Sequence, residues 1–123
     1  MTTDIQRALA EDRLIDITTS GRTSGEPRRI EIGFHNLAGR LYITGRPGPR
    51  SWYANLLADP ALTFHLKRSV QADLPARARA ITDVGERREL LSKILASIDM
   101  GDELDDWVGG APLVEVELLD EAQ

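Results

Sequence analysis

The sequence contains no cysteine, and that absence excludes disulfides, thiolate metal sites and a cysteine nucleophile. No apolar run approaches the roughly 20 residues needed to span a bilayer. The opening stretch, MTTDIQRALAEDR, has no apolar segment after a basic start, so it does not read as a signal peptide. The expected location is therefore cytoplasmic, without stable membrane insertion. Histidine is scarce. His35 falls in an expected turn and His65 at an expected solvent-facing strand position, each alone in its segment. No Gly-x-Ser-x-Gly elbow is present, and no Gly-Lys-Ser/Thr follows a glycine-rich loop, so a serine hydrolase and a P-loop are unsupported. The acidic run Asp102-Glu103-Leu104-Asp105-Asp106 lacks the spacing and central glycine of a calcium loop and reads as a solvated turn. No metal site is expected.

What remains is an ordinary globular composition. The chain has 123 residues, 41% hydrophobic and 28% charged, which suits one domain over 1–123. Net charge is −5, but it is unevenly distributed. Residues 22–68 hold eight basic groups (Arg22, Arg28, Arg29, Arg40, Arg46, Arg50, Lys67, Arg68) against three acids, whereas residues 99–123 hold nine acids and no base. So acidic a chain is a poor nucleic-acid binder. A local cationic cluster suits a small anionic ligand.

Periodicity predicts a helix over 4–12 and a strand over 14–19. A loop over 20–27 follows, and then a strand over 29–34 with Ile30, Ile32 and Phe34 on one face. Residues 35–39 read as a turn, and 40–44 as the matching strand. The loop 45–50 holds two prolines and two glycines. Ser51 reads as the N-cap of a helix over 52–58 that Asp59-Pro60 ends. Further strands are expected at 62–66, 76–82 and 113–119, the last as an edge strand. Between them Asp83 and Glu86 have capping-box spacing, ahead of a helix with Leu90, Leu91, Ile94, Leu95 and Ile98 on its core face. Residues 99–106 read as an acidic loop leading to Trp107. Six short strands with hairpin-length early links predict an α+β antiparallel barrel or sandwich with surface helices. A parallel doubly wound sheet would need longer crossovers.

Two segments carry the candidate chemistry. Ser20-Gly21-Arg22-Thr23-Ser24-Gly25 is a turn able to gather backbone N–H groups, because glycine permits close approach. Arg22, Arg28 and Arg29 flank it with forked donors suited to phosphate or carboxylate. The second, Gly45 to Arg50, leads into a helix N-terminus, where free N–H groups favour anions. Trp52 reads equally as a stacking group or as a core residue.

Taken together, Thr19-Ser20-Gly21-Arg22-Thr23-Ser24-Gly25-Glu26-Pro27-Arg28-Arg29, Leu41-Tyr42-Ile43-Thr44-Gly45 and Ser51-Trp52-Tyr53-Ala54-Asn55-Leu56-Leu57-Ala58-Asp59-Pro60 resemble the deazaflavin (F420)-dependent nitroreductase family over residues 13–120. The resemblance implies a split β-barrel of the kind found in FMN-binding and pyridoxamine oxidase-like proteins. It implies a reductase that moves hydride from reduced coenzyme F420 to a quinone-like, nitro or other electron-poor small molecule. FMN is the alternative cofactor, and a noncatalytic cofactor- or small-molecule-binding protein is the alternative role. By this likeness Arg22, Thr23 and Arg28 meet the anionic tail, and Thr44, Gly45 and Arg46 line the phosphate and ring. Ser51, Trp52 and Asn55 hold the other side. No catalytic residue is assigned. A homodimer is plausible on the same basis. The chain departs from the drug-reducing members in a shorter segment between Gly45 and Trp52, and in having no tyrosine over 98–106. Substrate preference is therefore not carried over.

Overall fold

The computed structural model describes residues 2–119. Helix α1 (Thr3–Glu11) is capped by Thr2, whose hydroxyl accepts from the Ile5 N–H at 3.2 Å. Strands β1 (Leu14–Ser20), β2 (Pro27–Gly33), β3 (His35–Leu37) and β4 (Arg40–Thr44) follow, then helix α2 (Ser51–Ala58) and strands β5 (Ala61–Leu66) and β6 (Ala72–Ala80). Helix α3 (Val84–Ser97), a 3-10 turn (Gly101–Glu103), helix α4 (Leu104–Gly110) and strand β7 (Leu113–Leu118) complete the order.

The seven strands form one antiparallel sheet in the order β2-β1-β5-β6-β7-β4-β3. Strands β2 and β3 are its two opposite edges, yet Phe34 alone joins them. Consecutive Cα atoms lie about 3.8 Å apart, so the edges must meet there and the sheet must curl. Phe34 is the clasp. Its N–H donates to the Arg13 carbonyl at 3.0 Å, and its ring, 1% exposed, packs edge-on against Phe64 with centroids 5.2 Å apart. This is the split-barrel fold that the sequence leads one to expect, with seven strands rather than six.

Alternation fills the barrel. Ile15, Ile17, Ile43, Leu62, Phe64, Val114 and Val116 point inward, joined by Ala8 and Leu9 from α1 and by Trp52 and Leu56 from α2. Each such large side chain contributes roughly 1.5–3 kcal/mol on burial. A second core lies on the outer face, where Tyr42 and Leu113 meet Leu91, Ile94 and Leu95 of α3 and Trp107 and Val108 of α4.

Several local expectations are corrected. Residues 35–37 are a strand, because the turn needs only Ala38 and Gly39, at φ 54° and 91°. Two successive positive φ values are what a primed two-residue hairpin requires. β7 is not an edge strand but lies between β6 and β4. β6 begins at Ala72, running through Pro75, rather than spanning 76–82. Residues 104–110 are helical, not loop. Ile98 is 42% exposed because α3 has already ended. There Asp99 turns left-handed (φ 62°), and the Met100 and Asp99 N–H groups donate to Leu95 and Ala96 carbonyls at 2.8 and 3.3 Å, a Schellman closure. At the start of α3, Asp83 accepts from the Glu86 N–H at 2.9 Å, but the Glu86 carboxylate turns to Arg79 instead of completing the capping box.

Candidate functional site

The first loop is a closed turn. Gly21 N–H donates to the Glu26 carbonyl at 2.8 Å, Gly25 N–H to the Gly21 carbonyl at 2.7 Å, and Glu26 N–H to Ser24 Oγ at 3.1 Å. A Cβ at Gly21 would lie 2.9 Å from Ser24 Oγ and 3.3 Å from the Glu26 carbonyl, so a larger residue there would have to displace Ser24 and shift the turn. These N–H groups are spent inside the turn, which corrects the expectation that they converge on a ligand. The charged donors beside this turn are arginine side chains. Thr23 lies at the exposed tip.

Helix α2 fastens this loop to the barrel. Asn55, 3% exposed, accepts through Oδ1 from both the backbone N–H and Nη1 of Arg22, each at 3.1 Å. Its Nδ2 donates to Thr19 Oγ1 at 3.1 Å. Residues from the first and third sequence blocks thus meet in one cluster. Arg28 lies on the exposed β2 edge, its Nε 3.6 Å from the position a Gly21 Cβ would take.

The second loop is held from the other side. Thr44 Oγ1 donates to the Pro112 carbonyl at 2.5 Å, and Gly48 N–H to the Gly110 carbonyl at 3.2 Å. Arg46 reaches Glu103 at 3.5 Å, an oxygen that also accepts from Trp107 Nε1 at 3.3 Å. Arg50 folds back over its own loop, donating to the Arg46 and Pro49 carbonyls at 3.0 Å each, with Nε 3.8 Å from the Cβ position of Gly45. Arg50, not Ser51, occupies the N-cap position of α2, and no side chain caps it; Ser51 is the exposed first helical residue. Trp52 is 7% exposed and packs in the barrel core, edge-on to Tyr53 at 5.9 Å.

The structure also sorts the arginines by charge. Arg29, Arg40, Arg46, Arg79 and Arg88 each pair with a carboxylate. Among the described residues, Arg22, Arg28 and Arg50 have no acidic partner, a property shared by Arg7, Arg13, Arg68, Arg77 and the buried Arg87, but only these three lie on the two loops or the β2 edge beside them. Their guanidiniums stand free of carboxylates at the two loops that flank α2, and such forked donors suit phosphate.

Sequence reasoning missed Arg87. It is 8% exposed, and its guanidinium donates to the carbonyls of Val108 (2.9 Å), Ile81 (2.9 Å), Trp107 (3.1 Å) and Ala111 (2.6 Å). It clamps the C-terminal carbonyls of α4, where a cation complements the helix dipole. Through Gly110 and Pro112 it also supports the second loop. The available signal was its place in the Arg87, Leu91, Ile94, Leu95 stripe of α3.

His65 is 6% exposed rather than solvent-facing. Nδ1 lies 2.7 Å from Asp73 Oδ1 and Nε2 lies 2.7 Å from Thr18 Oγ1. The ionised Asp73 only accepts, so Nδ1 carries the proton. That hydrogen bond holds the Asp73 carboxyl below its usual range, against a smaller opposing effect of desolvation. Lys67 and Arg29 hold Asp16 low in the same way on this outer face. His35 sits on β3, where burial and then the Arg13 charge push its pKa down.

A cleft of about 870 Å³ lies at the other end of the β4–β7 ladder, between α1 and Arg40, Arg77, Arg79 and Glu117. None of the nine candidate cofactor residues lines it.

Comparison with known proteins agrees with this architecture. Residues 2–106 match the model of the F420H(2)-dependent quinone reductase family. Among solved structures, a conserved hypothetical protein from Mycobacterium tuberculosis is similar at TM-score 0.77 and 13% identity, covering 98% of this chain and 82% of that one. A putative pyridoxamine 5'-phosphate oxidase from Listeria innocua matches at TM-score 0.68 and 11% identity, over 94% and 91%. An F420-H2 dependent reductase (FDR-A) matches at 0.65 and 19%, over 86% and 95%. By the family match over most of its length, the chain belongs to the F420H(2)-dependent quinone reductase family.

Proposed function

We propose that this reductase binds coenzyme F420 through Arg22, Arg28 and Arg50 and acts on a quinone-like, nitro or other electron-poor small molecule. The observation that carries the reading is the convergence of Arg22, Arg28 and Arg50, none with a described carboxylate partner, on the two loops that flank α2. Their accessible guanidiniums offer forked donors that suit a phosphate with an acidic tail. When bound, the reduced deazaflavin supplies the hydride. The chain's own residues bind and orient. Arg22 and Arg28 take the anionic tail, while Thr44, Gly45 and Arg46 border the phosphate and ring. The buried Trp52 gives α2 a rigid seat in the barrel. Acid–base pairs are absent from this cluster, in keeping with chemistry carried by the cofactor.

Titration with coenzyme F420, followed by fluorescence, tests the binding half. Oxidation of the reduced coenzyme across a panel of quinones and nitro compounds tests the reaction. Saturable binding with turnover of one acceptor class supports the proposal, whereas preference for FMN would reassign the cofactor. Tight coenzyme binding with no acceptor turned over would make the protein a carrier.

A further inference from the structure

This inference rests on the reading that an anionic ligand sits against Arg22. Asn55 lies within α2 and is 3% exposed. A carboxamide offers one oxygen with two lone pairs and two N–H donors. Here both lone pairs go to Arg22, at 3.1 Å each, and one N–H goes to Thr19, itself 3% exposed. Little of the amide is left to face a ligand. Arg22, in contrast, spends one of its five guanidinium N–H donors on this contact and keeps the rest.

Aspartate has the shape of asparagine and would accept the same two bonds more strongly. It would also neutralise the guanidinium, as Asp16 does for Arg29 at 2.9 Å and Glu86 for Arg79 at 2.7 Å. A neutral oxygen fixes the arginine and leaves its charge whole. We propose that Asn55 is a positioning residue that holds Arg22 in place, unneutralised, for the phosphate or carboxylate of the ligand, without touching the ligand itself. Aspartate tests whether the neutrality of Asn55 matters, and Asn55→Ser, which releases Arg22 without adding charge, tests whether its hold on Arg22 does.

The test compares wild type with Asn55→Asp, using two probes, coenzyme F420 and inorganic pyrophosphate, over a range of ionic strength. Circular dichroism and thermal midpoint report the fold. The expected result is a native fold, affinity for both probes weaker by about tenfold, as for loss of one charge-assisted hydrogen bond, and a flatter salt dependence. Equal binding of both probes by the two proteins overturns the inference and leaves the cofactor reading intact. Wild type that binds pyrophosphate but not F420, with Asn55→Asp losing pyrophosphate, upholds the inference and removes the cofactor reading. Wild type that binds neither probe overturns both. If Asn55→Asp does not fold, Asn55→Ser carries the comparison, since it releases Arg22 without adding charge. Weaker binding of pyrophosphate by that variant supports the role, and unchanged binding overturns it.

Discussion

The two loops that flank α2 are fastened by opposite means. The first, over residues 21–26, closes on itself and is tied to the barrel by one neutral side chain, Asn55. The second, over residues 45–50, leans on α4 and its flanks, Gly48 on Gly110, the adjoining Thr44 on Pro112 and Arg46 on Glu103, and α4 is in turn gripped by the buried Arg87. The first leaves Arg22 and Arg28 without a carboxylate partner, whereas in the second Arg46 pairs with Glu103 and Arg50, still unneutralised, folds back on two carbonyls of its own loop. On the proposed reading, the first loop takes the anionic tail and the second borders the phosphate and ring.

Substitutions can break this contrast one side at a time. Arg87→Met should have the largest effect, because it strands up to four carbonyls in a buried place. A loss of about 3 kcal/mol or more in urea unfolding is expected at roughly 1–3 kcal/mol per unsatisfied group. Its damage should centre on α4 and the second loop, read as faster amide exchange there than at residues 20–26. Arg28→Ala comes next. It should weaken F420 binding by about 1.5–3 kcal/mol with stability unchanged, if one charge-assisted hydrogen bond is lost; an unchanged dissociation constant would take Arg28 out of the site. Arg46→Ala should cost only about 0–1 kcal/mol in stability, since its pair with Glu103 is 67% and 39% exposed. A larger loss in thermal melts would show that the second loop depends on that pair.

The smallest effect concerns pH. Burial lowers the folded-state pKa of His35 below its ordinary 6.5. The unfolded chain then takes up that proton first, so stability is full above 6.5 and declines as pH falls through 6.5 toward the folded value. His35→Gln should flatten this slope in urea titrations, and an unaltered slope would assign it to another group. The Asp16, Asp73 and Glu86 carboxyls, all held low by their partners, lose their contribution only at lower pH, as they protonate below their ordinary range.

Much of the barrel was legible because alternation and turn chemistry are local. β1, β4, β5 and β7 carry apolar residues at every second position, and Asp83 announces α3. The misses have physical causes. The sequence around β3 reads as a turn because three residues cannot show a period and because the positive-φ pair sits beside them. α4 looked like an acidic loop, although Leu104, Trp107 and Val108 stand at helical spacing and Asp105 and Asp106 suit a helix start. His65 alternates outward along β5, yet the side chains of Thr18 and Asp73 on the two neighbouring strands hydrogen-bond both ring nitrogens and enclose it. For the candidate site, the arginine-rich segments were visible and their meeting at α2 was not. No local signal says that Asn55 will hold Arg22, or that Arg46 will be paired while Arg22 is left charged. Those are facts of tertiary placement.

The central claim is that the uncompensated arginines beside α2 hold coenzyme F420. Its most direct test is a fluorescence titration of the wild-type protein with F420, repeated with Arg22→Ala and with FMN as competitor. The account predicts saturable micromolar binding that Arg22→Ala weakens and that FMN displaces poorly. Absence of saturable F420 binding, or binding indifferent to Arg22, would contradict it.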